Sequence, residues 1–174
     1  MTVELGLGTF GDVSLGADGQ PKAMDQVIRD VIEESVLADQ TGVDFMGLGE
    51  HHRPDFAISA PEILLAAIAA RTSRLRFGSA VTVLSSDDPI RVFQRFSTLN
   101  AISNGRAEVI LGRGSFTESY ALFGYDMADY DLLFEEKLDL FASLLRDTEV
   151  NGQGQPRPPL ARQKVYPPLA QPLT

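Results

Sequence analysis

The chain has 174 residues, 44% of them hydrophobic and 22% charged, a formal net charge of -9 and no cysteine. That balance suits one globular domain with a real core, and the missing thiols exclude a disulfide framework, a thiolate zinc site and a catalytic cysteine. The acid surplus argues against a nucleic-acid or anionic-membrane partner, both of which are bound by clustered Lys and Arg. No apolar run approaches the ~20 residues that cross a bilayer, so the expected location is the cytoplasm.

Val3 to Leu7 is a short apolar segment ahead of a glycine-rich turn and reads as a first strand. Beyond Pro21, apolar residues at Met24, Val27, Ile28, Val31, Ile32 and Val36 recur on one side with acids between them, which predicts a helix closed by Gly42. Phe45 to Leu48 is the second strand. Ser59-Ala60-Pro61-Glu62 has capping-box spacing with a proline in the first turn, and opens a second helix through Ile63 to Ala70. Leu75 to Leu84 is β-rich and forms the third strand. Asp88 and Pro89 start a third helix that Asn104-Gly105 ends, and Ala107 to Leu111 is the fourth strand. A short helix near Thr117 to Phe123 and a longer one from about Tyr130 to Arg146 complete the fourth unit. Strand-helix alternation of this kind predicts an α/β fold with a parallel sheet and right-handed crossovers.

The character changes at Asn151. Six of the ten prolines fall in residues 151–174, with Arg157, Arg162 and Lys164 and no acid. Residues 1–150 carry 12 basic and 24 acidic residues, a net charge of -12, so an extended proline-rich tail is expected to lie on an acidic body or to connect onward.

Gly6-Leu7-Gly8-Thr9-Phe10-Gly11 matches the dinucleotide fingerprint literally, but no helix follows it; Asp12, Ser14, Gly16, Asp18, Gly19 and Pro21 keep the chain in a loop. The stronger signal is Glu50-His51-His52, which holds both histidines of the chain at the end of the second strand. Parallel sheets place their active sites outside the carboxyl ends of strands. Acid/base chemistry, a metal and a plain loop role are all open to these residues; adjacent side chains of an extended segment point apart, which disfavours His51 and His52 on one ion. Arg113, between Gly112 and Gly114 after the fourth strand, suits either a phosphate contact or an ion pair with a neighbouring acid.

These pieces in this order resemble the bacterial luciferase-like family of flavin-dependent monooxygenases. The resemblance rests on Gly49-Glu50-His51-His52, on Phe77-Gly78-Ser79-Ala80-Val81-Thr82-Val83, and on Asp88-Pro89-Ile90-Arg91-Val92. It continues in Ile102-Ser103-Asn104-Gly105-Arg106 leading to Ile110-Leu111-Gly112-Arg113-Gly114, and in Phe123-Gly124, covering roughly residues 1–150. It implies a (β/α)8 TIM-barrel type of fold that binds reduced FMN, supplied by a separate flavin reductase. Dioxygen then gives a C4a-peroxyflavin that oxygenates a small organic substrate such as an aldehyde. By similarity His51 is the catalytic residue and Glu50 its flavin-side neighbour. Ala80 and Val81 form a non-prolyl cis peptide behind the isoalloxazine ring, and Arg113 contacts the flavin phosphate; no metal is implied. Related barrels use a deazaflavin for hydride transfer, and a non-catalytic flavin-binding or assembly subunit is the other alternative.

A complete barrel of this kind takes about 250 residues, and this chain supplies only the first four βα units. Within the tail of residues 151–174, Val165-Tyr166-Pro167-Pro168-Leu169 resembles the segment that leads into a fifth strand in the family. The expectation is therefore the N-terminal half of a barrel, completed by further chain, by a second copy in a homo-oligomer, or by another partner.

Overall fold

The computed structural model describes residues 3–152, 154–155 and 157–174. Four strands, β1 (Gly6–Thr9), β2 (Phe45–Leu48), β3 (Arg76–Val83) and β4 (Ala107–Gly112), form one sheet in the order β1-β2-β3-β4, all neighbours parallel. Helices α1 (Met24–Thr41), α2 (Pro61–Arg71) and α3 (Pro89–Ser103) make the crossovers, and α4 (Glu118–Phe123) and α5 (Tyr130–Arg146) follow β4. Among the described residues no helix is long and apolar enough to cross a membrane.

The helices cover one face of the sheet. Met46, Leu48, Phe77 and Ala107 point to that side and join Val31 of α1, Leu65 and Ile68 of α2, Val92 and Phe96 of α3, and Phe141 and Leu144 of α5 in a single core. Strand side chains alternate between faces, so Phe45, Gly47, Gly78, Ala80, Ile110 and Gly112 stand on the other. Glycine dominates there because the backbones run close: a Cβ on Gly78 would collide with the Glu108 carbonyl, and one on Gly112 would meet Val81 Cγ2 at 2.6 Å. Ile110 remains 45% exposed on this uncovered face.

Two local expectations are corrected, at the first strand and at the start of α2. The first strand begins at Gly6, later than its apolar segment, because Leu5 is drawn onto the Asp44 carboxylate and only Gly6–Thr9 run in register with Phe45–Leu48. The loop expected after β1 is present, with no helix before Met24, and bridges Asp12↔Phe56 and Leu15↔Pro21 pin it. The capping box before α2 does not close: Ala60 is the N-cap with no side-chain bond, and the Glu62 carboxylate turns inward to Arg95. At α3 the cap forms as expected, with Asp88 Oδ1 accepting from the backbone N–H groups of Ile90 and Arg91.

The tail is not simply extended. β5 (Val150–Gly152) and β6 (Leu160–Gln163) form an antiparallel hairpin, after which Val165, Leu169 and Leu173 pack on the core. Val109 N–H then donates to the Thr174 oxygen at 2.9 Å, on the outer edge of β4.

Arg106 fastens the bottom of this sheet to its helices. Its guanidinium donates to the carbonyls of Ala69, Thr72, Leu75 and Ser103 and to Thr72 Oγ1, at 2.8 to 3.1 Å. Removing a donor from partly buried carbonyls costs more than the bonds themselves contribute. Arg106→Met is expected to destabilise the chain by about 3 kcal/mol, read as a lower urea midpoint at unchanged slope.

Candidate active site

The loops following β1 and β2 are stitched together by backbone hydrogen bonds: Gly49 N–H to the Thr9 carbonyl, His51 N–H to Ile58, Ala57 N–H to Gly11 and Val13 N–H to Asp55, each 2.8 to 2.9 Å. That stitching holds residues 49–52 extended, so alternate side chains leave on opposite sides. Glu50 and His52 leave together, and His51 leaves alone.

Glu50 uses both carboxylate oxygens. Oε1 lies 2.8 Å from His52 Nε2, and Oε2 accepts the Val83 backbone N–H at 2.9 Å. Both side chains are about nine-tenths buried, and Phe123 sets its edge against the His52 ring. The Glu50 carboxylate thus stands behind β3, two residues past the Ala80-Val81 peptide, which is cis.

His51 enters an aromatic enclosure. Its ring stacks on Phe56 at 4.4 Å and meets the edges of Phe10 and Phe116 at 4.8 and 5.1 Å. Burial among these rings pulls the imidazole below its ordinary pKa of 6.5, outweighing the pull of Asp55 and Glu118 in the other direction. The outer wall is latched by Arg53, which donates to Asp55 and Glu118 at 3.0 Å and lies over the Phe116 ring.

A cleft of about 240 Å³ brings these groups together: Phe10, Glu50, His51, His52, Ala80, Val81 and Phe116 all line it. Beneath Ala80 the strands run close. A Cβ on Gly47 would stand 2.9 Å from Ala80 Cβ, and one on Gly49 would strike the Phe10 ring. The cis Ala80-Val81 peptide and the His51 ring, whose charged form is disfavoured, thus share one cleft with room for a ring-shaped ligand.

Arg113 lies outside the cleft lining. Its guanidinium rests on the Phe134 ring at 4.5 Å, with Asp131 and Glu135 at 3.6 and 3.8 Å, too long for hydrogen bonds. Nε is buried and has no hydrogen-bond partner among the described residues. An anion could therefore engage it. Among the described residues no group of three His, Asp or Glu is arranged to hold a metal ion.

Sequence reasoning missed the walls. Phe10, Phe56 and Phe116 each sit in a loop beyond the carboxyl end of a strand, and that recurrence was the available signal. Their meeting around one imidazole depends on loop geometry that spacing does not encode.

The luciferase-like monooxygenase family matches residues 5–173. The chain belongs to this family. Among its relatives, the luciferase-like chain is 35% identical over 119 residues to the 4-hydroxyprotoasukamycin monooxygenase of Streptomyces nodosus subsp. asukaensis, a match covering 68% of this chain and 32% of that protein. The oxygenating constituent of 3,6-diketocamphane monooxygenase from Pseudomonas putida, solved with FMN, superposes with a TM-score of 0.79 at 23% identity, over 89% of this chain and 42% of that one. An F420-dependent secondary alcohol dehydrogenase with an F420-acetone adduct also superposes at 0.79, at 17% identity, over 99% and 51%. The two structural likenesses carry the α/β fold. The luciferase-like chain spans less than half the length of these curated relatives, 37% and 32% for two of them and 47% for another.

The enclosure around His51 makes a direct expectation. In NMR titration, the His51 imidazole should have its midpoint below 6.5, and Phe56→Ala, which admits water beside the ring, should move it upward. Because the partly buried ring favours the neutral form, its share of stability is present above 6.5 and is lost as pH falls through the folded midpoint.

Proposed function

We propose that the chain carries the flavin-side half of a monooxygenase active site, which uses reduced FMN and dioxygen to oxygenate a small organic substrate such as an aldehyde. The observation that carries this reading is the shared cleft, in which the caged His51 shares its lining with Ala80 and Val81. Bound reduced FMN would supply the electrons that activate dioxygen. Ala80 and Val81 would receive its ring, and Arg113 its phosphate once the guanidinium leaves Asp131 and Glu135.

The chain's own residues have separable tasks. His51 accepts or donates a proton at a ring nitrogen near neutral pH, a function suited to an imidazole whose charged form is disfavoured. Phe10, Phe56 and Phe116 keep water from that nitrogen, which protects reactive oxygen species from unproductive loss. Glu50 keeps the end of β3 in place against the cleft through Val83.

A (β/α)8 barrel is the architecture we infer for the working unit, with the remaining strands from further chain, from a second copy in a homo-oligomer, or from a partner. A separate reductase would supply the reduced flavin in the cytoplasm. The alternatives are a deazaflavin-dependent hydride-transfer oxidoreductase, favoured by the fold of the F420-dependent dehydrogenase, and a non-catalytic flavin-binding subunit.

The test is cofactor titration followed by oxygen uptake, on the chain with the strands that complete it. FMN should bind saturably, and reduced FMN with aldehyde should give substrate-dependent oxygen consumption. His51→Ala should lower turnover about 100-fold while leaving the FMN Kd within a few fold. Unchanged turnover removes His51 from the mechanism; hydride transfer from an alcohol to a deazaflavin without oxygen uptake, or flavin binding with no turnover, supports the respective alternative.

A further inference from the structure

The Glu50-His52 pair is a wall between two cavities. One is the His51 cleft. The other, also about 240 Å³, is lined by Glu50, His52, Ser59, Glu62, Ser86, Asp87, Asp88, Arg95 and Phe123. Both cavities are large enough to hold water, and the second has the polar partners that ordered water requires. The second cavity is acidic: Glu62 from α2, with Asp87 and Asp88 from the turn before α3, surrounds Arg95 of α3.

Arg95 does not neutralise this group. Its Nη2 pairs with Asp87, and its Nε lies 3.2 Å from Glu62 Oε1, so one guanidinium serves two carboxylates. The Glu62 side chain is nine-tenths buried. It is also the residue that left the expected capping box, so nothing in the helix start explains its inward turn. Burial, together with the nearby charges of Glu50 and Asp87, pushes its carboxyl above the ordinary carboxylate range despite Arg95.

We propose that Glu62 is a proton-holding residue that feeds the His51 cleft through His52 and Glu50. A proton from water in the acidic cavity forms a new N–H bond at the second ring nitrogen of His52. The N–H bond at Nε2 breaks as an O–H bond forms at Glu50 Oε1, 2.8 Å away. The O–H bond at Glu50 then breaks as a water in the His51 cleft takes up the proton. Glu62 reprotonates the cavity water that gave up its proton and is itself reprotonated from solvent, and reorientation of the His52 ring presents its protonated nitrogen to Glu50 again. No electrons move, and one proton crosses the wall. Glu62 touches no reactant; it is a positioning residue acting through His52. The use of the proton in oxygenation rests on the flavin monooxygenase reading, whereas the coupling belongs to the resting chain.

The test needs neither flavin nor substrate. With only two histidines, isotope-labelled imidazoles give two resolvable signals, assigned with His52→Gln. The charged or titratable groups lining the two cavities that His52 borders are Glu50, Glu62, Asp87, Asp88 and Arg95 on one side and His51 and Glu118 on the other, with Phe123 from α4 against its ring. The His52 signal is expected to show an additional inflection above the ordinary carboxylate range. Glu62→Gln, which keeps the side-chain shape, should abolish that inflection while leaving the His51 signal in place. Asp87→Asn removes a repelling charge and frees Arg95 for Glu62, so it should move the same inflection to lower pH; this variant decides the matter if Glu62→Gln does not fold. An inflection that survives Glu62→Gln, that is absent from the parent, or that ignores Asp87→Asn overturns the relay. Failure of oxygen uptake would overturn the flavin reading and leave the coupling standing.

Discussion

The Glu50 carboxylate is the constraint on which the site's geometry depends. A carboxylate this deeply buried is tolerated only when its lone pairs are engaged, and both oxygens are: one by His52 and one by the Val83 amide. Those two bonds join the end of β2 to the end of β3 on either side of the cleft floor. Once Glu50 faces inward toward β3, the alternation of an extended segment sends His51 the opposite way into the aromatic enclosure. The backbone stitching to the first loop then holds residues 49–52 extended.

Much of this was legible in the sequence. α1, α3 and α5 carry strong one-sided periodicity and, for α3, a cap whose partners lie within three residues, so local chemistry sufficed. Glu50-His51-His52 and Ala80-Val81 were identified and do meet at one cleft. The failures share a cause. The first strand was misplaced because register with β2, a long-range property, outranked apolar content. Glu62 was read as a cap because its partner Arg95 lies on another helix. The hairpin at Val150–Gly152 and Leu160–Gln163 was hidden under prolines that argue against strand pairing. The enclosure of His51 unites residues from three loops, and no single segment contains it.

The two faces of the sheet are built by different physics. The helical face is a packed apolar core. The opposite face is shaped by missing side chains, where glycines let neighbouring main chains and rings come close. Arg76 spans Glu4 and Glu108 toward the amino ends of the strands, while the carboxyl ends hold the imidazole and the aromatic rings. A polar end and an apolar end on one face give the sheet a direction, and the cleft opens at the apolar one.

The cleft base at Ala80 and Val81 and the cleft walls of phenyl rings differ in how freely each can vary. At the base the strands run close, so alteration there means moving strands. The walls hang on loops, where one phenyl can give way to a smaller or more polar group without disturbing β2 or β3. The architecture therefore leaves the loop-borne rings of Phe10 and Phe116 freer to vary than Ala80 and Val81, which are fixed by the strands on either side, so the shape of the cleft can drift at its rim while its base stays constant.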